Sequence, residues 1–134
     1  MSVSNALQAA IYVRLTTFAP LMALIGAKVY DMPPQDAVYP FVSFGPMDAL
    51  TDDADDVAGD EVSLQLDVWS AAQDGQREAK AICDAIHAAL HRWSGSIDPG
   101  GLAMIEVSRR QVIPDPQEHL SHGIVTVDCA VERS

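Results

Sequence analysis

The chain has 134 residues, 49% of them hydrophobic, and a formal net charge of -11. That length suits one domain, 1–134, burying roughly two thirds of its unfolded surface without metal or disulfide. The charge excludes an anionic membrane or a nucleic-acid backbone as an attractive partner, because long-range repulsion opposes both.

Ser4 is a suitable N-cap for a first helix, along which Leu7, Ala10, Ile11, Leu15 and Phe18 recur at three- and four-residue steps until Pro20. Pro20 suits the first turn of a short second helix, Leu21 to Ile25, which Gly26 can close in the left-handed conformation. Lys28-Val-Tyr30 is expected to be extended before Met32-Pro-Pro-Gln35 turns the chain. A strand from Tyr39 to Phe44 then ends at Gly45-Pro46.

Asp48 to Asp60 is too acidic to pack and reads as a mobile loop or extended hairpin tip. It lacks the ligand spacing of a calcium loop, since Val57 falls where an EF-hand starting at Asp53 wants an oxygen ligand. The clearest strand follows. In Glu61 to Trp69, Val62, Leu64, Leu66 and Val68 alternate strictly with Ser63, Gln65, Asp67 and Trp69. After a polar turn in which Asp74 is the expected N-cap, a helix carries Ala79, Ile82, Cys83, Ile86, Ala89 and Leu90 on one stripe. Leu102 to Ile113 is the next strand, with Ile105 and Val107 inward. Gln117 to Gly123 is a loop, and Ile124 to Glu132 the last strand, with Val125, Val127, Cys129 and Val131 on one face. The order gives an α+β, two-layer fold, with helices on one face of a small, mainly antiparallel sheet of about four strands.

No basic n-region precedes the apolar residues at the N-terminus, and no stretch approaches the roughly 20 apolar residues that span a bilayer, so neither a signal peptide nor a membrane is expected. Cys83 and Cys129 fall on core faces and read as reduced, buried thiols. Arg109-Arg110, the one adjacent basic pair, points to opposite strand faces and makes no phosphate site. Cys83, His87 and His91 step along one helix, with His119 and His122 available from a loop, but four-residue spacing supplies only two convergent zinc ligands. No Gly-x-Ser-x-Gly turn or helical metalloprotease motif is present. No metal, cofactor or catalytic residue is expected. Trp69, outward among polar neighbours, is a candidate assembly contact, as are Asp52, Asp53, Asp55 and Asp56.

Leu7-Gln-Ala-Ala-Ile-Tyr-Val-Arg-Leu15, Leu24-Ile-Gly-Ala-Lys-Val-Tyr-Asp31, Pro34-Gln-Asp36, Tyr39-Pro-Phe-Val42, Leu66-Asp-Val-Trp-Ser70 with Gly75 to Leu90, and His122-Gly-Ile-Val-Thr-Val127 resemble, in order, the tail-completion proteins of long-tailed phages. Tail terminators, which also occur in phage-derived gene-transfer agents, are their better-known relatives. The resemblance implies a non-enzymatic virion protein without cofactors, assembled in the bacterial cytoplasm. It implies a ring, usually a hexamer, that caps the tail tube, stops its polymerisation and meets both the major tail tube protein and the head connector. DNA would pass through the channel without specific binding. A head-completion or stopper protein of the connector is the near alternative. The alternative of a different class is a small cytoplasmic metal-dependent enzyme using Cys83, His87 and His91.

Overall fold

The strictly alternating stretch becomes β3 (Gly59–Ser70), the centre of a five-stranded sheet. The computed structural model describes residues 2–116 and 119–133. Around β3 lie β1 (Val29–Tyr30), β2 (Phe41–Thr51), β4 (Gly101–Asp115) and β5 (Leu120–Glu132), in the order β1-β2-β3-β5-β4. Every pairing is antiparallel except that of β1 with β2. The expected α+β class and mainly antiparallel sheet stand, but with five strands in place of about four, because the extended Val29 and Tyr30 pair in parallel with Val42 and Ser43.

Three helices, α1 (Val3–Thr17), α2 (Ala19–Ile25) and α3 (Arg77–Leu90), supply the second layer. Leu7, Ile11 and Leu15 of α1, Leu21 and Ile25 of α2, and Ile82, Cys83, Ile86 and Leu90 of α3 form one core with the inward residues of the strands. Those inward residues are Val29 of β1, Val42 of β2, Val62, Leu64, Leu66 and Val68 of β3, Val125, Val127, Cys129 and Val131 of β5, and Ile105 and Val107 of β4. Burying each such side chain contributes roughly 1.5–3 kcal/mol, and the two periodicities that align them specify the fold. Pro20 sits in the first turn of α2, and Gly26, at φ 66°, ends it with its N–H donating to the carbonyl of Met22.

Several expected boundaries shift. Ser2, not Ser4, caps α1, its hydroxyl accepting from Asn5 N–H at 3.1 Å. Gln76 stands at the N-cap position of α3 in place of Asp74, and Ser70 ties the end of β3 to the first turn of α3 by donating to Glu78 Oε1 at 2.7 Å. β2 does not stop at Gly45-Pro46: an irregularity between Phe44 and Met47 absorbs them, and the strand runs on to Thr51. Asp48 to Thr51 are therefore strand, not loop, and the acidic connection shrinks to a hairpin tip at 52–58. β5 begins at Leu120, inside the expected loop, while Gln117 of that expectation lies outside the described residues.

The outer edge of β4 is partly occupied. As α3 ends, Arg92 N–H donates to the Ile105 carbonyl at 2.8 Å and Val107 N–H donates to His91 Nδ1 at 3.1 Å, so the chain leaving the helix takes up outward groups of the edge strand. At the opposite side β1 covers β2 only at Val42 and Ser43, and beyond its reach Pro46 and the irregularity beside it interrupt β2. Both are devices that discourage another strand from pairing there. Among the described residues no single helix is long and apolar enough to cross a membrane.

Candidate assembly interface

The helices cover one face of the sheet and leave the other open. On the open face, side chains fall in rows set by the register. Phe41, Trp69, His122 and Ile113 occupy one row, and Asp48, Ser63, Asp128 and Glu106 another. The face is thus aromatic at one end and acidic at the other.

At the aromatic end, the Trp69 indole stacks on the His122 imidazole, with centroids 4.0 Å apart and planes 8° from parallel. Its Nε1 donates to Ser43 Oγ at 3.2 Å. Beside it Asp67, only 8% exposed, is held through one oxygen by His122 Nε2 at 2.7 Å and by Gln65 Nε2, which donates at 2.8 Å. Buried carboxylates require such partners. A Cβ at Gly45 would lie 2.6 Å from the other Asp67 oxygen, which is why glycine is needed where β2 passes over this carboxylate. Tyr39 and Tyr30 extend the cluster through Phe41, with centroid separations of 5.4 and 5.7 Å. Trp69 is therefore half-buried and tied into its own subunit.

His122 is the member that sequence reasoning missed. The expected loop over 117–123 hides it, yet the alternation of β5 extended back past Ile124 sets it on the face of Thr126; only the register places it opposite Trp69.

At the acidic end, Asp48, Glu61, Glu106 and Asp128 surround a shallow basin that also holds Leu50 and Met104. Beyond it, the hairpin tip is closed by mutual backbone bonds between Ala54 and Val57, with Asp55 and Asp56 exposed at the turn. Asp53 faces back toward the body. Its carboxylate accepts from Gly59 N–H at 3.1 Å and from Arg133 Nη2 at 2.6 Å, while Arg133 also contacts Asp60 and donates to the Gly59 carbonyl at 2.5 Å. The Arg133 hydrogen bond, and then that of Gly59, hold the Asp53 pKa below the usual carboxylate range. Asp52, Asp53, Asp55 and Asp56 thus share one tip, but Trp69 stands apart from them by roughly 30 Å along β3, at about 3.4 Å per residue. The structure does not join the two expected contact regions into one.

Nor does it bring Cys83, His87 and His91 together. Cys83 is buried against the sheet, where desolvation pushes its thiol up to about 11. His87 stacks on His91 at 4.7 Å, and His91 Nδ1 is taken by Val107 N–H. Among the described residues no three His, Cys, Asp or Glu side chains are placed to share a metal ion.

The comparisons with known proteins agree with this architecture. A solved chain from the structure titled "Virion of native gene transfer agent (GTA) particle" is similar at 29% identity and a TM-score of 0.89, over 98% of each chain. A second solved chain, 17% identical with a TM-score of 0.56 over 100% of this chain and 97% of that one, shares the fold. No curated protein sequence matches. Residues 9–132 match the family described as "Tail completion protein gp17", and the chain belongs to that family.

Proposed function

We propose that this structural protein of a phage-type tail assembles as a hexameric ring on the end of the tail tube, stops its growth and offers the surface on which the head connector docks. The observation that carries the reading is the match to the tail-completion family over residues 9–132, beside the likeness to a chain of a gene-transfer-agent virion. The geometry supports it further. The conspicuous surface features, an open sheet face and a braced tip, suit contacts with other subunits.

The major tail tube protein and the connector or stopper are its partners, and assembly takes place in the bacterial cytoplasm. With -11 on each chain, six copies carry -66, a net charge that disfavours holding DNA as it crosses the channel. Deleting the gene in its phage, prophage or gene-transfer agent tests the role by electron microscopy of the particles. Tails of uncontrolled length without heads are expected. Tails of normal length beside unjoined heads would identify a connector stopper instead.

A further inference from the structure

Charge is divided unevenly along the chain. Its first thirty residues contain Arg14 and Lys28 and no Asp or Glu, so residues 31–134 hold six basic against nineteen acidic residues, a net of -13. The acid-free segment is largely the α1–α2 hairpin. The outer side of α1 exposes large apolar side chains among its polar ones: Tyr12 is 43% and Val13 57% exposed. Met22 and Leu24 of α2 are exposed too.

Beside α1 runs a groove lined by Ala10, Val13, Arg14, Thr17 and Trp93 and floored by residues 94–96. Arg14 is fixed in its wall. Its Nε donates to the Ala89 carbonyl at 2.9 Å, and its guanidinium lies 4.8 Å from the Phe18 ring and 5.5 Å from that of Trp93. Among the described residues it has no carboxylate within ion-pair distance. A fixed cation in an apolar groove suits a small, rigid anionic projection.

The same chain presents one. The tip at 52–57 is braced from behind by Arg133, carries Asp55 and Asp56 at its turn, and exposes Val57 beside them. We propose that the tip of one copy seats in the α1 groove of the next, with Asp55 and Asp56 toward Arg14 and Val57 against Val13. This deepens the ring reading and rests on it. Two different patches meet, so the contact is head-to-tail and closes into a ring when the rotation permits. Charge favours the pairing: residues 31–134 carry a net of -13, whereas the hairpin brings Arg14 and Lys28 with no acidic residue to repel the tip. The bracing by Arg133 removes part of the ordering cost of docking.

Disulfide trapping tests this on the full chain. Asp55→Cys and Ser94→Cys place one thiol on the tip and one in the groove, while Cys83 and Cys129 stay buried. Under salt conditions in which light scattering reports assembly, oxidation of the double variant is expected to give a reducible ladder ending at the ring size, and each single variant no ladder. Val13→Asp, at an exposed position, is expected to raise the concentration for half-assembly at least about tenfold while circular dichroism stays unchanged. Rings without a ladder, or an unchanged half-assembly concentration, overturn this contact and leave the ring reading standing. No assembly at any salt overturns both.

Discussion

The Cys83 thiol occupies the space where a side chain at position 123 would begin: a Cβ on Gly123 would lie 2.6 Å from Sγ and 2.9 Å from the Val68 Cβ. Gly123→Ala is therefore expected to destabilise the subunit by about 1–3 kcal/mol through overpacking between α3 and β5. Adding Cys83→Ala should recover part of the loss, because it removes the atom in the way. Urea unfolding of the two single variants and the double measures the coupling, and strictly additive losses would dismiss this account.

The two thiols should be inert. Burial pushes Cys83 up to about 11 and Cys129 to about 12, so at neutral pH neither supplies appreciable thiolate. A water-soluble maleimide is expected to label neither in native buffer and both in denaturant. Rapid native labelling of either would show that the α3 packing opens readily.

Trp69→Ala should weaken the isolated subunit by about 2 kcal/mol, less than the roughly 3–5 kcal/mol of a fully buried tryptophan because the indole is half exposed. The loss arises from the His122 stack and the bond to Ser43. Urea titration at low salt, under conditions in which light scattering reports monomers, isolates it. An unchanged midpoint would mean that Trp69 serves contacts between subunits alone.

The tip should close as a function of pH in one direction. A carboxylate whose folded pKa is depressed contributes stability that is present above its unfolded value, about 3.9, and is lost as pH falls through the folded value. For Asp53 the depression comes first from Arg133 and then from Gly59 N–H. Exchange of the Gly59 amide should accordingly be slow between pH 5 and 7, corrected for the intrinsic rate, and speed up below about pH 3.9. Arg133→Ala should speed it at all these values, and a Gly59 amide indifferent to that substitution would disprove the bracing.

Assembly should grow with salt. Subunits of -11 repel one another, and screening beyond about 10 Å at 0.1 M weakens that repulsion more than it weakens apolar contacts. Light scattering across a salt series is expected to pass from monomers toward rings. Rings that dissolve at high salt would show that ion pairs, such as that proposed between the tip and Arg14, outweigh the general repulsion between subunits.

Where a periodic pattern sat on apolar side chains, the fold was legible in the residues. The α3 stripe from Ala79 to Leu90 and the inward run Val62 to Val68 are buried as their spacing requires. The pattern fades where inward positions hold small residues. Ser121 and Gly123 fill the core side of early β5, the latter because Cys83 leaves no room, so alternation is invisible there and the strand start was missed. Gly45-Pro46 imitates a strand end, yet the glycine answers to Asp67 on the neighbouring strand, a partner twenty-two residues away. The acidic tip and Trp69 could be singled out, but the Arg133 brace and the His122 stack join residues that only register brings together.

The bonds that His91 and Arg92 make to the rim of β4 bear on what a pool of waiting copies can become. Unsheathed strands invite ribbons, in which each newcomer becomes the template for another and length has no natural limit. Here the template is withdrawn at Ile105 and Val107 by the chain itself, and Pro46 spoils its opposite number. For a molecule proposed to end a polymer the point has weight. A stopper able to extend its own sheet would lengthen what it is meant to finish, whereas one whose rims are partly blocked offers a newcomer fewer free groups to pair with.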